Sequence, residues 1–196
     1  MNKNFLNSVL NIFQNNIIPL TTKKVSLGNK IFGAAIIKKN DLSLVISGSN
    51  NEIENPLWHG EISTIKNFYE IIENKRPFTK DCFFISSHEP CSLCLSAITW
   101  CGFDNFFYLF PHNSTINDFN IPHDLKILKE VFDIDNGEYA RENYYWKSYN
   151  LNDLIIKLSE IEKKELMPIL ENIKNTYKKL SDNYQLFKKN NKIPLK

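Results

Sequence analysis

The chain of 196 residues contains no long hydrophobic run. No stretch reaches the roughly 18 consecutive apolar residues that a membrane-spanning helix needs, so we expect no membrane segment. Residues 1–20 have Lys3 as their only basic residue and lack the apolar segment of a secretory signal. Gly/Ser-rich linkers, Pro-rich linkers and internal repeats are also missing. These absences predict a soluble, cytoplasmic protein built around one main core.

Cysteine is scarce, with four residues in the whole chain. So few cysteines do not form a disulfide scaffold, and Cys91 and Cys94 stand at the spacing of metal ligands. Cys82 lies in an apolar segment and Cys101 at the end of a predicted helix, where cysteine usually acts as a small hydrophobic side chain. The cysteine pattern therefore favours a reducing environment and a metal site.

The chain also lacks a strong excess of charge. Residues 1–150 carry 14 Lys and Arg against 16 Asp and Glu, whereas residues 151–196 carry 10 Lys against 6 acidic residues. An enzyme that acts on nucleic acid usually places basic groups around its cleft. The slightly acidic main part of this chain favours a small-molecule partner, and the basic C-terminal part keeps a nucleic-acid partner open.

Hydrophobic periodicity predicts an α/β protein. We expect strands over residues 31–38, 42–47, 82–86, 105–110 and 144–149, and helices over residues 4–16, 60–74, 91–101 and 125–131. From residue 152 the pattern is helical, with a break and restart at Pro168. Alternation of strands and helices is typical of three layers around a central sheet. We therefore predict a main domain over residues 1–150 and a helical extension over residues 151–196.

Two short motifs carry the chemistry. His59-Gly60-Glu61 is followed by Glu89-Pro90-Cys91-Ser92-Leu93-Cys94. Together and in this order they are expected by chance about 0.001 times in a chain of this composition. One His and two Cys form a three-ligand zinc set that leaves the fourth position open for water, and the pattern is the signature of zinc-dependent nucleobase deaminases.

A closed structural zinc site is the alternative to this catalytic site. Structural sites usually have four protein ligands. Cys82, Cys101, His88 or His112 is able in principle to supply the fourth. However, none of these residues belongs to a second C-x-x-C pair or to an H-x-x-x-H motif.

Both motifs stand where a helix is predicted to begin. Cys91 and Cys94 are three residues apart and therefore share a helix face, and a helix N-terminus favours thiolates. Three-ligand zinc activates its water. Glu61, two residues beyond the ligand His59, is placed to take protons from that water and return them to the reacting base.

At these residues the chain resembles the cytidine and deoxycytidylate deaminase superfamily, and in particular the branch of fungal cytosine deaminase, guanine deaminase and tRNA adenosine deaminase. Gly60 matches the cytosine deaminase form of the first motif, whereas the second motif is closer to the guanine deaminase form. The resemblance covers about residues 28–110 and is carried by four parts of the sequence: Phe32 to Ile37, Asn51, His59 to Thr64, and Glu89 to Ile98.

The resemblance implies a fold and a set of roles. The fold is a three-layer α/β/α cytidine-deaminase-like fold with a central five-stranded mixed sheet. His59, Cys91 and Cys94 bind Zn2+, and Glu61 is the catalytic residue.

The resemblance also implies three contacts to the substrate. Gly60 contributes its N–H and Glu89 its carbonyl. Asn51 hydrogen-bonds the base, and its neighbour Asn50 is the alternative for this role.

Three functional classes follow from the sequence. The first is a zinc-dependent deaminase of a free nucleobase or nucleoside, cytosine-like or guanine-like, which we expect to form a homodimer. The second is a tRNA adenosine deaminase, supported by the basic segment 151–196. The third is a non-catalytic zinc-stabilised binding module, which the presence of Glu61 argues against.

Overall fold

The computed structural model describes residues 1–196 and contains one five-stranded sheet. The strand order is β2-β1-β3-β4-β5. β1 pairs antiparallel with both β2 and β3, whereas β3, β4 and β5 run parallel to one another. The predicted mixed five-stranded sheet is therefore confirmed. The strands are β1 (Gly33–Lys38), β2 (Leu44–Ser49), β3 (Cys82–His88), β4 (Asn105–Phe110) and β5 (Lys147–Asn150).

Burial follows the position of each strand in the sheet. All six residues of the inner strand β4 are buried. A strand covered on both faces needs a continuous apolar sequence such as Phe106 to Phe110. The two edge strands, β2 and β5, contain exposed or half-buried residues along most of their length.

Four helices cover one face of the sheet. α1 (Lys3–Ile12) continues through a π-helical turn (Phe13–Ile17) into α2 (Ile18–Ser26), and α7 (Leu151–Ile156) and α8 (Glu160–Phe187) follow near the other end of the chain. Their apolar side chains, including Leu6, Ile17, Leu166 and Tyr177, share one core cluster with Ile85 and Phe107 of the sheet. The C-terminal helices thus pack in the same core as the first helices.

The opposite face carries the helices that begin at the two motifs. They are α3 (Gly60–Glu70) and α4 (Ser92–Trp100). Phe68 of α3 and Ile98 of α4 pack on Phe84 and Phe106 in a second, smaller core. α5 (His112–Asn117) and α6 (His123–Phe132) lie between β4 and β5 in the chain. The three-layer α/β/α architecture is confirmed, and no helix combines the length and hydropathy that crossing a bilayer requires.

Two local predictions differ from the structure. α8 runs without a break through Pro168, which is exposed. The buried stripe that includes Leu166, Leu170 and Ile173 continues across the proline, so tertiary packing offsets the missing backbone hydrogen bond. The helix predicted to reach residue 74 ends at Glu70, where Ile71 turns to an extended conformation.

Candidate metal centre and active site

Two helix starts converge on one point. His59 is the N-cap of α3 and Cys91 is the N-cap of α4, and both have extended backbone angles. Cys94 lies in the first turn of α4, so its side chain lies on the same side as that of Cys91. In addition, β3 runs parallel to β4 with His88 paired to Phe110, which sets the position of the segment leading into α4.

The three predicted ligands form a triangle of zinc size. Cys91 Sγ lies 3.4 Å from His59 Nδ1 and 3.6 Å from Cys94 Sγ, and Cys94 Sγ lies 3.7 Å from His59 Nδ1. Tetrahedral zinc with ordinary Zn–S and Zn–N bonds places S and S about 3.8 Å apart and S and N about 3.6 Å apart. The donor atoms therefore fit one face of a zinc tetrahedron, and the hydrogen bond from Cys94 holds the pKa of Cys91 well below its ordinary value of 9.0.

A closed structural zinc site would need a fourth protein ligand, and no fourth side chain lies in the cluster. The cluster of side chains able to hold a metal consists of His59, Cys91 and Cys94. Cys82 is packed in the smaller core, and His112 Nε2 lies 3.2 Å from the carbonyl of Pro90. The geometry favours an open, three-ligand centre.

Glu61 lies beside this triangle. Its Oε2 is 3.3 Å from Cys94 Sγ, and its Oε1 accepts a 2.7 Å hydrogen bond from Ser86 Oγ of β3. The residue is buried, and burial raises the pKa of its carboxyl above the ordinary value of 4.5. A fixed carboxylate with a raised pKa next to a metal site is suited to exchanging protons.

Gly60 has a steric reason to be glycine. A Cβ atom at this position would lie 2.8 Å from Gly33 Cα and 2.8 Å from the Phe32 carbonyl oxygen. As the first residue of α3, Gly60 has an N–H without an acceptor in the helix. The predicted backbone contact to a substrate is compatible with this geometry and remains a prediction.

The two candidate asparagines have different surroundings. Asn51 accepts a hydrogen bond from Lys24 and donates one to Glu54, on a neighbouring cavity of the surface. Asn50 is completely buried and donates to Glu52, while its Oδ1 has no partner in the protein. Of the two asparagines, Asn50 is thus the one whose side-chain oxygen has no hydrogen-bond partner.

The Glu89 side chain holds the second motif in place. It accepts hydrogen bonds from the His112 N–H at 3.0 Å, the Tyr139 hydroxyl at 2.8 Å and Arg141 Nη2 at 2.9 Å. These partners belong to the connection between β4 and β5. The carboxylate is therefore committed to internal contacts, which leaves only the Glu89 backbone for the predicted contact to a substrate.

A cavity of about 250 Å3 opens beside His59 and Cys91. Its walls include Phe32, Leu57 and Asp124, and the C-terminal residues Ile193, Pro194 and Leu195. A volume near the lower end of small-molecule pockets, which start at about 300 Å3, suits a single base. A smaller space of about 10 Å3 adjoins Glu61, Glu89 and Asp124.

The cytidine and deoxycytidylate deaminase zinc-binding region matches residues 14–110, which include all three ligands and Glu61. This part of the chain belongs to that deaminase family. The zinc-binding description of the family agrees with the donor triangle.

Proteins similar to this chain include guanine deaminases. The chain is 32% identical to guanine deaminase from Bacillus subtilis over 83 residues, which is 41% of this chain and 51% of the relative. It therefore matches about half the length of that protein. An X-ray structure of guanine deaminase from Bacillus subtilis matches with a TM-score of 0.51 and 26% identity over 68% of this chain and 80% of that chain. A guanine deaminase from Nitrosomonas europaea matches with a TM-score of 0.49 and 15% identity over 80% of each chain.

Two acidic residues near the donor triangle were not predicted from the sequence motifs. Glu52 is buried, pairs with Lys30 Nζ at 2.8 Å and lies 3.7 Å from His59 Nε2, on the side of the ring opposite the other ligands. Outer carboxylates of this kind orient ligand histidines.

Asp124, at the start of α6, borders both cavities. Burial and the charge of Cys91 raise the pKa of Asp124 to about 8. Neither residue belongs to a local motif, so only the fold reveals them.

Proposed function

We propose that this protein is a zinc-dependent hydrolytic deaminase of a nucleobase, and that its substrate class is guanine. The observation that carries the proposal is the zinc-sized triangle of His59, Cys91 and Cys94 with the buried carboxylate of Glu61 at its side. Zinc bound there supplies a Lewis acid that activates water for attack on the carbon bearing the amine.

The side chains of the protein handle protons and position the base. Glu61 takes one proton from the attacking water and delivers it to the ring nitrogen. It then carries the second proton of that water to the amine, which departs as ammonia as the carbonyl forms. Ser86 holds Oε1 of Glu61, and Oε2 lies on the side of the donor triangle, 3.3 Å from Cys94 Sγ. The Gly60 N–H and the Glu89 carbonyl contact the base. The third contact comes from the side chain of Asn50 rather than from that of Asn51.

Guanine is favoured among the bases on two grounds. The relatives with significant identity are guanine deaminases. The cavity beside His59 also presents Asp124, whose carboxyl group is able to hydrogen-bond the N–H edge that guanine carries next to the reacting C2.

A free base fits this site better than a tRNA loop. Pro56, Leu57 and the C-terminal segment from Ile193 to Leu195 enclose the cavity. None of the basic residues of segment 151–196 lines this cavity. Small-molecule turnover by such a site is expected to be insensitive to salt, whereas nucleic-acid binding weakens steeply with salt.

The test is ammonia release by the purified zinc protein. Guanine, cytosine, adenine, their nucleosides and a tRNA anticodon stem-loop are compared at low and high salt. We expect turnover of guanine and about one zinc per chain by elemental analysis. Turnover of the stem-loop alone would contradict the proposal.

Replacement of Glu61 by Gln tests the mechanism. Loss of the proton carrier should reduce kcat by about 100- to 10,000-fold with zinc still bound, as is typical for general acid–base groups. Glu70→Gln is the matched control, because Glu70 lies on the same helix but is exposed. Full activity of Glu61→Gln would disprove the assigned role.

A further inference from the structure

His88 is a buried histidine beside the proposed reaction centre. It ends β3, directly before the motif that supplies Cys91 and Cys94. The residue is 2% exposed and borders the small cavity shared with Glu61 and Glu89. The proposed mechanism gives it no role.

The two ring nitrogens of His88 differ in their contacts. Nδ1 lies 2.9 Å from Ser87 Oγ, whereas Nε2 is buried and has no hydrogen-bond partner in the protein. Ser87 Oγ already accepts a hydrogen bond from the Gly33 N–H, so its own hydrogen is available for Nδ1. Burial lowers the pKa of His88 well below its ordinary value of 6.5. A neutral ring that accepts at Nδ1 carries its single proton on Nε2.

Aromatic rings surround the rest of the histidine. The ring centroids lie between 4.6 and 5.5 Å from that of His88. These rings fix the imidazole and offer Nε2 no acceptor, so the cavity is the polar space that His88 borders. A buried N–H without a partner is costly. An acceptor atom of a ligand that reaches from the larger cavity beside His59 into this adjoining space of about 10 Å3 would remove that cost. The four rings are those of Phe32, Phe110, Phe119 and Tyr177.

We propose that His88 is a substrate-binding residue whose Nε2–H donates a hydrogen bond to an acceptor atom of the bound base. The proposal rests on the proposed deaminase function. Glu61, Glu89 and Asp124, the other polar side chains of this cavity besides the metal ligands, are all carboxyl groups. His88 therefore adds an uncharged ring N–H, which a ring nitrogen or carbonyl oxygen of a base is able to accept.

The test compares His88→Phe with the unsubstituted protein. Equilibrium dialysis of labelled guanine is carried out in the zinc-bound Glu61→Gln background, so that binding is measured without turnover. Phenylalanine keeps the ring and removes Nε2–H. We expect guanine to bind about 10- to 100-fold more weakly, as for a polar group left unpaired, with zinc content unchanged. Equal affinity in the two proteins would overturn the proposal.

Two variants separate binding from packing. His88→Gln returns an amide donor near the position of Nε2 and should recover part of the lost affinity. Phe119→Leu loosens the same aromatic cluster, so it should lower the thermal unfolding midpoint without changing guanine affinity. If Phe119→Leu weakens binding as much as His88→Phe does, His88 acts only through packing and the proposal fails.

Base analogues identify the acceptor atom. Analogues of guanine in which one ring nitrogen is replaced by C–H, such as 3-deazaguanine and 7-deazaguanine, are bound to both proteins. The analogue that lacks the acceptor for His88 should bind more weakly than guanine to the protein that has His88. The same analogue and guanine should bind equally to the His88→Phe variant. Equal losses for every analogue would count against the hydrogen bond.

A protein that neither binds nor deaminates any base would disprove the proposed function itself, whereas normal guanine turnover by His88→Phe would disprove only this inference.

Discussion

The two faces of the sheet bury different kinds of side chain. The face covered by α1, α2, α7 and α8 has a hydrophobic core of 26 buried residues, and the buried polar residues of these helices, Thr21 and Ser181, are uncharged. The face covered by α3 and α4 has a hydrophobic core of 11 buried residues. Near the starts of α3 and α4 the chain also buries Lys30, Glu52, Glu61 and Glu89. Buried charges cost stability unless they are paired, so we infer that the larger core stabilises a fold whose other face is committed to chemistry.

The largest expected effect comes from removing a zinc ligand. Cys94→Ala should reduce bound zinc from about one per chain to near zero, because three protein ligands are the minimum for such a site. Ammonia release should fall below detection. Cys82→Ala is the matched control, since Cys82 is equally buried but lies outside the ligand cluster. Elemental analysis that finds full zinc in Cys94→Ala would rule out the assigned centre.

A substitution in the core on the opposite face of the sheet should change the stability of the protein and leave its activity unchanged. Leu6 of α1 is completely buried in the larger core. Leu6→Ala should lower the free energy of unfolding by about 2–5 kcal/mol, measured by urea titration of the zinc protein. The kcat and KM of the folded protein should stay unchanged. A loss of zinc or a raised KM would show that the two faces are coupled more tightly than their separate cores suggest.

A smaller effect is expected at the edge of the site. Arg141→Met removes the cation from Glu89 but leaves the Tyr139 hydroxyl and the His112 N–H in place. Because Arg141 is half-exposed, we expect a loss of about 1–3 kcal/mol in unfolding free energy. The double variant Arg141→Met/Glu89→Gln should be more stable than Arg141→Met, since it no longer buries an unpaired charge. If the double variant unfolds at a lower temperature than Arg141→Met does, Arg141 acts mainly by packing.

Much of the site could be predicted because its chemistry is local in sequence. His59 and Glu61 are two residues apart, and Cys91 and Cys94 are three apart, so one helix start positions each pair. The strands were also predictable, since β1 and β4 are continuous apolar segments. The family resemblance implied a mixed five-stranded sheet, but the order of its strands was not predicted, because pairing between distant segments leaves no local pattern.

The remainder depends on contacts between distant segments. Glu52 lies between His59 and Lys30, which come from different parts of the chain. Asp124 reaches the cavity through the placement of α6. The choice between Asn50 and Asn51 likewise depends on which side chain turns inward at the end of β2, and a one-residue change in a strand reverses the face.

Pro168 has a consequence for the dynamics of α8. Proline has no N–H, so the helix lacks one backbone hydrogen bond between its first two turns and the rest. Before Pro168 the helix buries only Leu166, whereas from Leu170 to Tyr184 it buries a residue in nearly every turn. Amide hydrogen exchange should therefore divide α8 in two. Residues 160–167 should exchange through local opening, and the amides from residue 170 onward should exchange slowly, close to the rate of global unfolding.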